Sequence, residues 1–489
     1  MRVLFAALAA SLICAAGDAW AQVAPSRPNI VVILADDMGW KDVGYHGSEI
    51  ETPNLDRLAA SGAELDRFYA MPSCSPTRAA LLTGQLPLRL GIIRPLTKNN
   101  PTGLPLDRKL LPQYLGDAGY QTALAGKWHL GFLDQAYRPN QRGFQSFYGH
   151  VTGGVGYWDH VHGGGYDWQR DGEIDRNARY ATHLVTEEAE RVVRQRDPAK
   201  PLFLYVAYGA PHLPNEAPEA ALRRYAHIAD PRRRAHASMV SEMDAGVGRI
   251  VQALESEGIA GDTIIWFASD NGGLNQASSQ PFNQKIIEVA DRVFDRPFPI
   301  RFLRFLRTNV EDGGADNGPF RMGKQSVFEG GVRVPAFVVW AGTIAPRRVD
   351  ARVSIADVLP TLLEAAKLPR VLDQAQDGAS RWDVVTGGGN APPPDFSTVG
   401  ADGLAYYSGD MKLVRTSDGV HHLFDLLRDP TEARDLATAH PETVATLSER
   451  LDALPRGENV GLPLWRLALD PDDFGGEEYG PPMTERALP

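Results

Sequence analysis

Cysteine is almost missing from this chain: only Cys14 and Cys74 occur in 489 residues. Cys14 lies in an apolar run at residues 3–16, behind Arg2 and ahead of Ala19-Trp20-Ala21. That layout is an export signal, so residues 1–21 are read as a signal peptide cleaved after Ala21. Ile13 is not the small residue that lipoprotein processing at Cys14 needs. The exported chain, periplasmic or secreted, then keeps one cysteine, Cys74, which excludes an intrachain disulfide. A lone thiol in an oxidising compartment is a liability unless it has a use or is chemically changed. Later apolar runs fall short of the roughly 20 residues of a transmembrane helix. Excess basic charge is also missing. With 50 Lys and Arg against 61 Asp and Glu, the net charge of −11 argues against nucleic acid as a partner. A local group of Arg, Lys and His can still receive a small anion. No internal repeat is evident, which excludes a solenoid.

What is present is an alternation of strands and helices. Residues 29–34, 201–208 and 262–268 are continuous apolar runs, as strands buried on both faces are. Helical periodicity marks 181–194 and 239–258 between them. The pattern predicts an α/β fold: a large, mostly parallel sheet sandwiched by helices. Gly387-Gly388-Gly389-Asn390-Ala391-Pro392-Pro393-Pro394 is the best boundary. Short strands at 404–408, 411–416 and 420–426 and a helix at 441–454 then make a smaller C-terminal α+β subdomain with an antiparallel sheet. The expected division is 22–390 and 391–489, with a loose acidic tail from Asp470.

Each strand ends in polar residues: Asp36 and Asp37, His212, Asp270 and Asn271. Open α/β sheets gather their sites beyond the C-terminal strand ends. Adjacent carboxylates there repel unless a cation lies between them. A helix cap explains one Asp of the first pair more easily than both. Oxygen ligands from Asp and Asn suit Ca²⁺ or Mg²⁺. Cys74-Ser75-Pro76-Thr77-Arg78 opens a helix that Ser75 is expected to cap and Gly84 to end, which puts Cys74 at an anion-receptive N-terminus. A buried thiol before an ordinary helix is the plainer reading of Cys74 alone. Lys127 and His129 follow a short strand and alternate, so extended structure would aim both to one side. Lys324 lies between glycines after the second acidic pair. The aromatic stretch 143–175 either walls a pocket or packs as an irregular core layer.

Four stretches together are specific: Leu34-Ala35-Asp36-Asp37-Met38-Gly39-Trp40, Cys74-Ser75-Pro76-Thr77-Arg78-Ala79-Ala80-Leu81-Leu82-Thr83-Gly84, Gly126-Lys127-Trp128-His129-Leu130-Gly131 and Ser269-Asp270-Asn271-Gly272-Gly273. They resemble the type I sulfatase family, which has the alkaline phosphatase superfamily fold. Asp42-Val43-Gly44-Tyr45-His46-Gly47 is most similar to its arylsulfatase B branch, the N-acetylgalactosamine-4-sulfatases. The resemblance implies that Cys74 is converted to formylglycine by a formylglycine-generating enzyme. It also implies that Asp36, Asp37, Asp270, Asn271 and residue 74 hold one Ca²⁺, with Mg²⁺ as the alternative. Arg78 and Lys127 would orient the nucleophile, and Asp270 would take its proton. His212 and Lys324 would hold the sulfate, one of them protonating the leaving alcohol, and His129 would act as base in the second step.

The expected function is therefore hydrolysis of sulfate monoesters, either aryl sulfates or sulfated saccharides. Two other readings stay open: a phosphonate or phosphodiester hydrolase with the same signature, and a non-catalytic sulfoglycan-binding relative with an unmodified Cys74. A homo-oligomer is compatible with either. The chain departs from the family in an insert at 274–317. It carries Arg301, Arg304 and Arg307 at helical spacing beside Phe302, Leu303, Phe305 and Leu306. It joins two site motifs, so it belongs near the pocket mouth as a substrate-shaping lid, a subunit contact or a membrane-surface segment.

Overall fold

The computed structural model describes residues 27–96, 100–162, 165–275, 313–369, 374–389, 392 and 394–460. The signal segment, the acidic tail and positions 276–312 of the insert, with its three arginines, lie outside the described residues.

The elements that position the site are strand β1 (Asn29–Ala35), helix α1 (Pro53–Ser61), strand β2 (Ala63–Leu65), helix α2 (Cys74–Thr83), strand β3 (Gln121–Lys127), strand β4 (Ser146–His150), helix α3 (Ala181–Gln195), strand β5 (Leu202–Ala207), helix α4 (Pro231–Ser256), strand β6 (Thr263–Ser269), strand β7 (Ala336–Val339), strand β8 (Arg347–Val349) and helix α5 (Val358–Ala365). They form a ten-stranded sheet ordered β8-β2-β7-β6-β1-β5-β3-β4, followed by two short strands. Its centre, β6-β1-β5-β3-β4, is parallel throughout. Strand β7 runs antiparallel to both β6 and β2.

The apolar runs work as a two-period pattern with both faces covered. Ile30, Val32 and Leu34 of β1 pack with Ala79 and Leu82 of α2 and Leu359 and Leu362 of α5. Val31, Ile33 and Ala35 pack on the opposite face with Leu184 and Val185 of α3 and Met243 and Val247 of α4. Each fully buried aliphatic side chain contributes roughly 1.5–3 kcal/mol. Helix α4 begins at Pro231, eight residues before the expected start at 239. The Arg232-Arg233-Arg234 run hides the apolar period there, while the Asp230 carboxylate caps the helix by accepting from the Arg232 N–H at 2.9 Å.

The smaller unit is a four-stranded antiparallel sheet made of β9 (Phe396–Val399), β10 (Gly403–Ser408), β11 (Met411–Thr416) and β12 (His421–Asp425). Helix α6 (Pro441–Asp452) packs Leu447 and Leu451 on its Leu413 and Leu423. On the other face Phe396 and Tyr407 stack around Tyr69. Beside them the buried Lys412 ammonium sits 3.0 Å from Glu329 and 2.7 Å from Glu432. Among the described residues no helix is long and apolar enough to cross a membrane.

Candidate active site

The C-terminal ends of four parallel strands and the start of one helix converge on a single buried cluster. Strand β1 delivers Asp36 and Asp37, β3 ends in Lys127, the turn after β5 carries His212, and β6 delivers Asp270 and Asn271. Backbone bonds carry the register past the strand ends: Asp270 N–H donates to Ala35 O at 2.9 Å and Asp36 N–H to Ala210 O at 3.0 Å. Asp37 then adopts φ 67°, a left-handed conformation uncommon for a residue with a Cβ. This breaks the side-to-side alternation of the strand, and Asp36 and Asp37 both join the cluster.

Helix α2 starts at Cys74, two residues earlier than expected, with Ser73 in the capping position. Ser75 does not cap it. Its hydroxyl donates to His129 O at 2.9 Å and accepts the Leu96 N–H at 3.0 Å, which ties the helix to two loops. Arg78, fully buried one turn on, donates through Nε and Nη2 to Asp270 Oδ2 at 3.2 and 2.9 Å. It also reaches Asp36 Oδ2 at 3.3 Å and Lys127 O at 3.0 Å. The Lys127 ammonium pairs with Asp36. Lys324 pairs with Asp37 at 2.6 Å, and His212 Nε2 lies 3.7 Å from the same carboxylate oxygen. Three carboxylates thus face three fixed cations in a largely buried cluster.

That packing sets the protonation. Burial resists ionisation of Asp36, but Lys127, His212, Arg78 and Lys324 outweigh it and hold its carboxyl well below the usual range. Asp270 goes the other way: burial and the adjacent Asp36 raise it, against Arg78 and Lys127. Burial pushes the Cys74 thiol up to about 12, although Lys127 and Lys324 pull it down. A native, unmodified chain should therefore carry about 10⁻⁵ of Cys74 as thiolate at pH 7. It is expected to resist iodoacetamide until unfolded, which peptide mass measurement will show.

Both histidines are fixed as neutral rings. A carbonyl only accepts, so His129 Nε2–H donates to Leu96 O at 2.9 Å and leaves Nδ1 bare, buried and without a partner. His212 Nδ1–H donates to Leu213 O at 2.7 Å, leaving Nε2 towards Asp37. Burial, then Lys127 and Arg78, lower His129 well below its ordinary value. Burial and Lys324 bring His212 down to about 4. His129 has φ 60°, so the expected extended alternation with Lys127 does not hold. The turn replaces it, sending the ring under the Gly153-Gly154 backbone. A Cβ on Gly153 would fall 2.7 Å from His129 Nε2, and one on Gly154 would fall 3.1 Å from His212 Nδ1. Gly153→Ala is expected to reduce kcat by about 10–100-fold by displacing the His129 ring. Its thermal unfolding should move little, which steady-state kinetics beside a melting curve will show.

The oxygen donors fit a hard divalent cation. Asp36 Oδ1 and Asn271 Oδ1 are buried and accept no hydrogen bond. Donor atoms of Asp36, Asp37, Cys74 and His212 lie within 4.8 Å of one another. Asn271 Nδ2 meanwhile donates to Asp37 Oδ1 at 2.7 Å, so its amide oxygen is the end left over.

The aromatic stretch does both of the things considered for it. Trp168 packs between His150 and His160, while His150, Tyr157 and Trp168 also line a small pocket with His212. Tyr157 donates its hydroxyl to Gly209 O at 2.7 Å and His212 O at 2.9 Å, bracing the His212 turn. Sequence reading gave Ser75 only a capping role, left Tyr157 within the aromatic stretch and missed Asn317. Asn317 exchanges two hydrogen bonds with the Gly273 backbone, at 2.8 and 3.0 Å, and so joins the two ends of the insert beside Asn271.

A buried carboxylate–amide oxygen set beside three cations defines a metal-assisted hydrolase for anionic esters. The chain belongs to the sulfatase family, whose members are formylglycine-dependent, metal-binding hydrolases of sulfuric esters: the family model Sulfatase matches residues 28–368. Mouse arylsulfatase J is 35% identical over 76% of this chain, which spans 58% of that relative's length. Mouse N-acetylgalactosamine-6-sulfatase is also 35% identical, over 80% of this chain and 72% of its own. The crystal structure of Ps i-CgsB in complex with k-i-k-neocarrahexaose superposes with a TM-score of 0.78 at 27% identity, covering 92% of this chain and 99% of that one. Two differently named sulfatases match at equal identity, so the family is established above the level of the arylsulfatase B branch.

Proposed function

We propose that this chain is an exported sulfatase that removes sulfate from a saccharide sulfate monoester, using formylglycine made from Cys74. The observation that supports it best is the burial of Arg78, Lys127 and Lys324 around Cys74 and three carboxylates. Cations fixed where the ester oxygens gain charge stabilise the transition state more than the ground state. The saccharide reading draws on the oligosaccharide held by Ps i-CgsB and on the amino-sugar sulfate in the name of a 35% identical relative. Periplasmic or secreted export and a formylglycine-generating enzyme as maturation partner belong to the same reading.

Asp36, Asp37, Asp270, Asn271 and residue 74 would hold Ca²⁺, with Mg²⁺ the alternative. The ion supplies Lewis-acid polarisation when bound. Formylglycine supplies an oxygen nucleophile in place of the thiol. The chain's own residues do the rest. Arg78 and Lys127 hold residue 74 against the carboxylates. Lys324, whose proton Asp37 and neighbouring acids retain against burial, is the group carrying a proton towards the leaving oxygen. His212 turns Nε2 towards the sulfate position, where it donates to an ester oxygen only once that nitrogen carries a proton. His129, with a bare Nδ1, is set to receive a proton in the second step.

Lys324→Met is therefore expected to slow alkyl or saccharide sulfates about 10²–10⁴-fold. It should slow 4-nitrophenyl sulfate much less, because that leaving group needs no proton; parallel kcat measurements will show the split. The function itself is tested with the modified protein on aryl sulfate, sulfated saccharides and an aryl phosphonate ester. Preference for a saccharide sulfate is expected, and dominant phosphonate cleavage would overturn the reading.

A further inference from the structure

A second constellation lies three strand positions away from β1, about 14 Å across the sheet at roughly 4.8 Å per strand. Glu64 is in the middle of β2 and Asp66 lies just beyond its end, so both project to one side at a two-residue spacing. His46 comes from the turn before α1. Its Nε2, a carboxylate oxygen of Glu64 and one of Asp66 lie within 4.8 Å of one another.

The histidine is the informative member. Its side chain is only 4% exposed. The ring is stacked on Trp40, with centroids 3.7 Å apart and 15° between the planes, and its Nδ1 lies 2.6 Å from Trp40 O. A carbonyl only accepts, so Nδ1 carries the hydrogen and Nε2 is the free position. Nε2 accepts no hydrogen bond and points at Glu64 Oε1, 3.5 Å away. In a neutral ring this sets a lone pair against a carboxylate. A histidine held through Nδ1–H to a backbone carbonyl, with Nε2 aimed at carboxylates, has the outer support that metal-binding histidines carry. The 3.5 Å separation is also close to the ligand–ligand spacing of about 3.3 Å that follows from tetrahedral bonds of 2.0–2.1 Å.

We infer that His46, Glu64 and Asp66 form a second cation site, for a divalent first-row transition ion of the Zn²⁺ type, separate from the sulfate site. One imidazole and two carboxylates are borderline ligands that suit such an ion better than Ca²⁺. Arg333 holds the other Asp66 oxygen, Oδ2, at 2.6 Å and so orients the carboxylate. Asp66 Oδ1 is buried and faces Arg348. Arg348 lies 2.8 Å from it as an ion pair, on a side chain that is 59% exposed and able to swing out when a dication enters. Glu64, with 21% of its side chain exposed, faces the solvent path and leaves the fourth position to water.

The test is a calorimetric titration of the full-length, Ca²⁺-saturated protein with Zn²⁺, with Co²⁺ and visible absorption as the coordination readout. One equivalent of Zn²⁺ beyond the Ca²⁺ site is expected, with tetrahedral-type Co²⁺ bands. His46→Ala and Glu64→Gln should each weaken that equivalent by more than roughly 100-fold, beyond the 10–100-fold cost of losing an outer support. Arg348→Ala should strengthen it, because its competing charge is gone. Sulfate ester turnover should stay unchanged in all three. Absence of an extra equivalent in the wild-type protein, or an equal affinity in Glu64→Gln, would overturn the site. Glu64→Gln, at a partly exposed position, keeps the test valid if His46→Ala does not fold.

Discussion

Cys74→Ala is expected to lower kcat by about 10⁶-fold, leaving the protein folded and able to bind its cation. Residues acting as one catalytic unit lose nearly the whole effect when the nucleophile is removed. Alanine fits the space, since Cys74 is 2% exposed at the first position of α2 and donates no essential cap. The stability change should stay within the about 0.5–3 kcal/mol of ordinary substitutions. The surrounding ion pairs do not depend on the side chain: Arg78 keeps Asp270 and Asp36, and Lys324 keeps Asp37. The measurement is aryl sulfate turnover by variant and wild type, beside the mass of the peptide containing residue 74. Turnover within tenfold of the wild type would refute Cys74 as the source of the nucleophile.

The second large effect concerns stability. Lys412→Met should destabilise the protein by about 3–5 kcal/mol, because removing one partner of a buried ion group strands the rest. Glu329 and Glu432 would be left with no ammonium between them, below the face where Phe396 and Tyr407 meet Tyr69. Chemical denaturation of both proteins measures it. A pH signature accompanies the prediction. Burial and Glu329 raise Glu432 from 4.5 to about 7, against the pull of Lys412. A carboxyl raised in the folded state binds more protons folded than unfolded between those values. Its contribution therefore falls as pH rises from about 4.5 to about 7. Glu432→Gln should flatten that part of the melting-temperature profile.

The parts of this molecule visible in sequence were those with a local cause. Strands β1, β5 and β6 read clearly because covering both faces leaves unbroken apolar runs. Asp36, Asp37, Asp270 and Asn271 read clearly because they follow such runs directly. Arg78, Lys127, His129, His212 and Lys324 stood out by position, at strand ends or beside glycines, and took their roles from the resemblance. The remainder depends on distant chain. Ser75 serves a carbonyl 54 residues away, not its own helix. Asn317 pairs with Gly273 across 44 positions. The left-handed turns at Asp37 and His129 oppose local preference and are held by their surroundings. The antiparallel direction of β7, between β6 and β2, depends on the path of distant chain, which periodicity does not register.

The Asn317–Gly273 pair has a consequence for how such an enzyme diversifies. It closes the chain on itself just after Asn271, so what is spliced between the two positions need not bear on the chemistry. Loop-closure entropy rises by only about 0.6 kcal/mol for each doubling of length. A lineage can lengthen, shorten or exchange that cassette at low thermodynamic risk while keeping the same bond-breaking apparatus.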